Sequence, residues 1–214
     1  MTCSLWRNLS ILDSSAITED ILGMCKRGQA LLGFFYCDFR EDLKKDLRGL
    51  LSSLVVQLCD QSDAYCAFLS DFYSAHGRGS QYASDSELLQ CLKDMVKIPG
   101  QTNVYIIIDA LDECPNTSDL ASPRDKVLDL VKDLVDLRVP RLRICVTSRP
   151  EADIEPVLSP LSFHSISLHC ERGQIQDITE YIRTVVDTHH EFRRWNAKDK
   201  ELVIAVITKK ADGM

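Results

Sequence analysis

Residues 104–114 read VYIIIDALDEC, and residues 142–150 read LRICVTSRP. Each opens with a run of β-favouring apolar residues that has no polar face, and each is stopped by charge: Asp109, Asp112 and Glu113 in the first, Arg149 in the second. A short apolar run without alternation is the pattern of a strand covered on both sides. ALLGFFYC, residues 30–37, reads the same way and ends at Asp38, and HSISL, residues 164–168, supplies a fourth strand.

Helical patterns fill the intervals. Leu5, Leu9, Leu12, Ile17, Ile21 and Cys25 recur at helical spacing up to a stop at Gly28. Leu43, Leu47, Leu50, Leu51, Leu54, Val55 and Leu58 trace one face of a helix over 42–59, with Lys44, Lys45, Arg48 and Ser52 opposite. A shorter aromatic-rich helix is predicted over 63–75. Ser84 with Glu87 marks a capping box for a helix reaching Lys97, and Ser122 before Pro123 marks the start of another carrying Val127, Leu128, Val131, Leu134 and Val135. Two further helical stretches carry Ile175, Ile178, Ile182 and Val185, then Leu202, Val203, Val206 and Ile207. Two-side-buried strands alternating with amphipathic helices give an α/β fold: a parallel sheet with helices on both faces.

With 214 residues, 45% hydrophobic and 27% charged, the chain has enough material for one α/β domain with a substantial core. Its formal charge of -7 provides no whole-surface attraction to nucleic acid or anionic lipid. The expectation is therefore no nucleic acid and no membrane, and no apolar run approaches spanning length. Nine cysteines without a C-x-x-C pair suit buried free thiols in a reducing cytoplasm, and the five histidines show no zinc-type spacing.

Ligands of parallel sheets bind beyond the carboxyl ends of the strands, which directs attention to Asp38, Asp109 and Thr147 to Arg149. An acid at a strand end suits Mg²⁺, which keeps its waters and needs only one or two protein carboxylates when phosphates supply the rest. Asp109 would hold the ion through water, and Glu113 or Asp112 would orient a water toward a terminal phosphate. Arg149, with Ser148 beside it, would contact that phosphate and report its loss. The alternatives are an acidic turn whose carboxylates bond to backbone N–H groups, and a surface arginine paired with one of the acids.

The segments IIIDALDEC (106–114) and CVTSRPE (145–151) resemble the Walker B and sensor 1 motifs of NACHT-domain, STAND-class signal-transduction NTPases, in particular the fungal, nephrocystin-like N-terminal group. The resemblance extends to FFYCDFR (34–40), DLRGLLSSLVVQLC (46–59) and DITEYI (177–182), and so spans about residues 14–214. It implies a P-loop NTPase-like three-layer sandwich, Mg²⁺ with ATP or GTP, and an intracellular sensing role of the innate-immunity type. It assigns Mg²⁺ binding to Asp109, hydrolysis to Asp112 and Glu113, and phosphate contact to Arg149 and Ser148. The implied layout is an atypical segment over 1–13, the NTPase-like core over 14–188, and the start of a helical region over 189–214.

The phosphate-holding motif G-x-x-x-x-G-K-[ST] occurs nowhere in the 214 residues, and Leu9, Ser10 and Ile11 stand where its last three residues are expected. Loss of two or three charge-assisted contacts weakens nucleotide binding by about 10³-fold or more. The sequence is therefore expected to be a fragment lacking the first strand of the sandwich, inactive by itself, with the absence of any cofactor as the alternative to Mg²⁺ and nucleotide. A second reading is a nucleotide-independent interaction or regulatory piece that pairs with full-length relatives or with itself.

Overall fold

A computed structural model describes residues 11–38, 40, 46–75, 82–100, 102–117, 122–164, 172–190, 192 and 195–211. The chain divides into two compact units, Met1–Ile166 and Ser167–Met214. In the first unit the elements run α1 (Ile11–Lys26), β1 (Ala30–Tyr36), α2 (Leu47–Asp60), α3 (Asp63–Ala75), α4 (Asp85–Lys97), β2 (Asn103–Asp109), α5 (Pro123–Asp136), β3 (Leu142–Val146) and the four-residue α6 (Glu155–Leu158). The second unit holds α7 (Arg172–Thr188) and α8 (Ala197–Ala211).

The described strands form one parallel sheet in the order β1-β2-β3. The fourth expected strand, 164–168, falls almost wholly outside the described residues. Side chains of β2 alternate between two layers, as a strand covered on both sides requires. Val104, Ile106 and Ile108 join the large core built with Leu50, Leu54, Leu58, Leu92, Met95, Val127 and Val131 from α2, α4 and α5. Ile107 faces the other way, with Ala30, Leu32, Cys145 and Ile21 of α1. The first unit is thus a three-layer α/β sandwich.

Local chemistry sets the helix limits. Asp46 caps α2, accepting from the Gly49 N–H at 2.8 Å; residues 42–45 of the expected helix lie outside the described residues. Ser84 with Glu87, and Ser122 with Asp125, form reciprocal capping boxes at α4 and α5. Gly28, at φ +70, supplies the left-handed turn that ends α1. The short α6 has no counterpart in the sequence reading, because one turn of helix carries no measurable periodicity.

In the second unit, Ile182 and Val186 of α7 pack on Ile204 of α8, and Thr179–Thr208, Arg183–Glu201 and Lys200–Asp187 contacts run antiparallel along the pair. Among the described residues no helix is long and apolar enough to cross a membrane.

The outer edge of β1 is closed by side chains. Gln57 accepts from Phe34 N–H at 3.0 Å and donates to Phe34 C=O at 2.9 Å, and Gln61 does the same for Leu32 at 2.9 and 2.6 Å. Two carboxamides four residues apart, one on α2 and one at its C-cap, thus stand in for the peptide groups of a neighbouring strand, on two alternate β1 residues. Replacing both glutamines by alanine bares a hydrogen-bonding edge. The expected result is concentration-dependent self-association in sedimentation velocity, with a stability loss of only about 1–2 kcal/mol because water rehydrates the exposed groups. An unchanged sedimentation profile would show that the edge is protected by something else.

Candidate functional site at the strand ends

The parallel register sets Tyr36 beside Asp109 and Ile108 beside Val146, so the three strands finish at one edge of the sheet. The ladder runs on past them: Cys37 N–H donates to Asp109 C=O at 3.0 Å, Thr147 N–H to Ile108 C=O at 2.9 Å, and Leu111 N–H to Thr147 C=O at 3.0 Å. Ala110 then takes a left-handed conformation, φ 55 and ψ 48, which is strained for a residue with a Cβ. The reversal buries Leu111 and starts the 3₁₀ turn Leu111–Glu113, which carries the next two acids.

Asp109 is buried, at 2% exposure. Its carboxylate accepts a hydrogen bond from the Thr147 hydroxyl, whose oxygen in turn accepts from Ala110 N–H at 2.9 Å. Asp112 accepts from Arg149 N–H at 3.0 Å and lies 3.4 Å from Arg149 Nε. That ion pair is lopsided, since the Asp112 side chain is 9% exposed and that of Arg149 is 78% exposed. Ser148 is buried and donates to Arg149 C=O at 2.8 Å. Among the described residues no hydrogen bond or ion pair engages the half-buried Glu113 carboxylate. Asp38 pairs locally with Arg40 at 2.9 Å. The geometry therefore joins Asp112 to Arg149 directly and ties Asp109 to the residue two positions before that arginine.

Arg124 anchors the acid turn and is absent from the sequence reading. It is 8% exposed, donates from Nε to Cys114 C=O at 3.0 Å and from Nη2 to Asp112 C=O, and pairs through Nη1 with Asp153 at 3.0 Å. Asn116 braces Asp153 at 2.8 Å. A sequence signal existed: a cation in the first turn of α5 opposes the helix dipole, so it needs a partner elsewhere.

Beneath the turn, the Cys37 and Cys114 sulfurs lie 3.2 Å apart, both buried. Their mutual hydrogen bond, with burial, pushes the Cys37 thiol up, while the same bond and the nearby Arg124 guanidinium lower that of Cys114. On β3, burial and the charge of Asp109 push the Cys145 thiol up to about 12.

The donor set limits what ion could bind. Among the described residues no three His, Cys, Asp or Glu side chains converge in a metal cage. One buried carboxylate with a hydroxyl on it fits Mg²⁺ held largely by water and phosphate, and does not fit a structural zinc site.

Residues 10–149, from α1 to the arginine at the end of β3, match the family described as Nephrocystin 3, N-terminal. The chain belongs to that family. No curated protein matches it. Similar solved structures include the Aeropyrum pernix ORC1 protein in complex with DNA, 14% identical with a TM-score of 0.49, covering 99% of this chain and 55% of that one. The Aeropyrum pernix ORC2 protein, in ADPNP–ADP complexes, is 15% identical with a TM-score of 0.45, over 88% of this chain and 45% of that one. The Drosophila ORC bound to AT-rich DNA and Cdc6 is 10% identical with a TM-score of 0.44, over 98% and 69%. The nephrocystin 3 N-terminal match contains Asp109, Asp112, Glu113, Ser148 and Arg149.

Proposed function

We propose that this chain carries the metal-and-water half of a nucleotide-operated signalling switch of the NACHT type, working inside the cell with Mg²⁺ and ATP or GTP. The observation that carries the reading is the pairing of Asp112 with Arg149. It leaves an exposed guanidinium resting on a fixed carboxylate. A terminal phosphate with two or more negative oxygens would compete for that guanidinium by bidentate hydrogen bonding, so Arg149 would leave Asp112 on nucleotide binding and return when the phosphate is lost.

The same pairing separates the roles of the acids. Asp112 is committed to positioning Arg149, which makes Glu113 the group to orient a water. Asp109 and the Thr147 hydroxyl would hold hydrated Mg²⁺, which when bound neutralises charge on the terminal phosphates. The G-x-x-x-x-G-K-[ST] motif that would grip those phosphates does not occur in the 214 residues, so on this reading turnover draws on phosphate-holding groups supplied in addition to them.

Calorimetric titration tests this. The chain alone is expected to show no saturable Mg²⁺-ATP or Mg²⁺-GTP binding at micromolar concentrations. Joining a strand and a Gly-rich phosphate loop ahead of Ser14 is expected to create binding that needs Mg²⁺ and is lost in Asp109→Ala, with hydrolysis lost in Glu113→Gln. Binding that ignores both Mg²⁺ and Asp109→Ala would overturn the reading. It would favour a protein-interaction role, for which α8 offers the exposed Leu202, Val206 and Ile207.

A further inference from the structure

We infer that Cys37 and Cys114 form a reversible disulfide, a redox modification site lying directly under the acid turn. The argument rests on placement. The sulfurs are 3.2 Å apart although the residues are 77 positions apart in sequence. Bond formation needs them to close by only about 1 Å. Backbone contacts hold both partners: Cys37 N–H is in the sheet ladder on Asp109, Cys114 N–H donates to Leu111 C=O at 3.1 Å, and Cys114 C=O is held by Arg124.

Other described thiols are engaged differently. Cys59 donates to Tyr65 C=O at 3.4 Å, Cys91 contacts the Met95 sulfur at 4.0 Å, and Cys66 is exposed on α3. Burial slows attack on Cys37 and Cys114, so reaction proceeds through local opening of the short turn that begins at the strained Ala110, and global unfolding is not required.

The oxidant class is a peroxide. One thiolate attacks a peroxide oxygen, the O–O bond breaks, hydroxide leaves and takes up the thiol proton as water, and a sulfenic acid remains. The second thiolate attacks that sulfur, the S–O bond breaks, and its own proton leaves with the oxygen as a second water. Two thiols are oxidised and one peroxide is reduced to two waters. The link ties the end of the Leu111–Glu113 turn, which carries Asp112, to the residue that follows β1.

The test uses the full chain carrying Cys66→Ser, treated with hydrogen peroxide and then mapped by mass spectrometry without reduction. We expect a loss of two hydrogens, a linked peptide pair containing Cys37 and Cys114, and a rise in Tm of roughly 5 °C that dithiothreitol reverses. Cys37→Ser and Cys114→Ser should each lose the link and the shift. If Cys37→Ser or Cys114→Ser does not fold, the peptide map of the chain carrying Cys66→Ser alone still decides. A link joining any other cysteine pair overturns the inference, as do sulfinic acids without a link, or two thiols left intact by peroxide that oxidises Cys66 in the parent chain. The readout is sulfur chemistry alone, so it stands or falls independently of nucleotide binding.

Discussion

Replacing Arg124 by alanine is expected to cost about 3–5 kcal/mol of unfolding free energy, a large fraction of the margin available to a domain of this size. The guanidinium is buried and serves three acceptors on two segments: the carbonyls of Asp112 and Cys114 on the acid turn, and the Asp153 carboxylate beyond β3. Truncation strands the two carbonyls, and the penalty comes mainly from these acceptors left without a donor, while Asp153 keeps its bond from Asn116. Asp153 is 31% exposed and regains water, which discounts the ion pair itself. Arg124→Lys should recover less than half, because an ammonium cannot reach two carbonyls and a carboxylate at fixed fork angles. Urea unfolding followed by far-UV circular dichroism measures both variants, and a loss below about 1 kcal/mol for the alanine would show that the turn does not depend on this anchor.

The contrast between Arg124 and the strands shows what could be read in the chain beforehand. The apolar runs at 30–37, 103–109 and 142–147 identify strands because burial on both faces leaves few polar positions between their ends, a property local to each run. The capping box at Ser84 and the helix start at Ser122 are equally local, and both are formed, with Asp125 adding a reciprocal bond at Ser122 that the sequence reading did not include. What escaped is set by contacts between distant segments: Gln57 with Phe34, Thr147 with Asp109, Cys37 with Cys114 and Arg124 with Asp153 are separated by 23, 38, 77 and 29 positions. Nothing in the spacing of D-A-L-D-E distinguishes Asp112 from Glu113. Only the left-handed turn at an alanine, which carries no glycine to announce it, swings Asp112 across to Arg149.

Thr147→Val is expected to lower stability by about 2–4 kcal/mol, with Thr147→Ser within about 1 kcal/mol of the parent. Valine keeps the shape and removes the hydroxyl, so the buried Asp109 carboxylate loses a donor and the Ala110 N–H loses its acceptor. The first loss involves a charged group and carries the larger share. A double-mutant cycle with Asp109→Ala separates the two, because the Asp109 contribution disappears from the Thr147→Val cost when the carboxylate is already gone. A coupling of about 1.5–3 kcal/mol is expected from the cycle, and a value near zero would mean that the valine cost is loss of packing alone. The hydroxyl matters beyond stability because it joins the end of β2 to the end of β3. Thr147 touches the candidate metal carboxylate, and Arg149, two residues on, rests on Asp112 from the same turn. Thr147→Val should break this side-chain link between the two strand ends while Thr147→Ser keeps it.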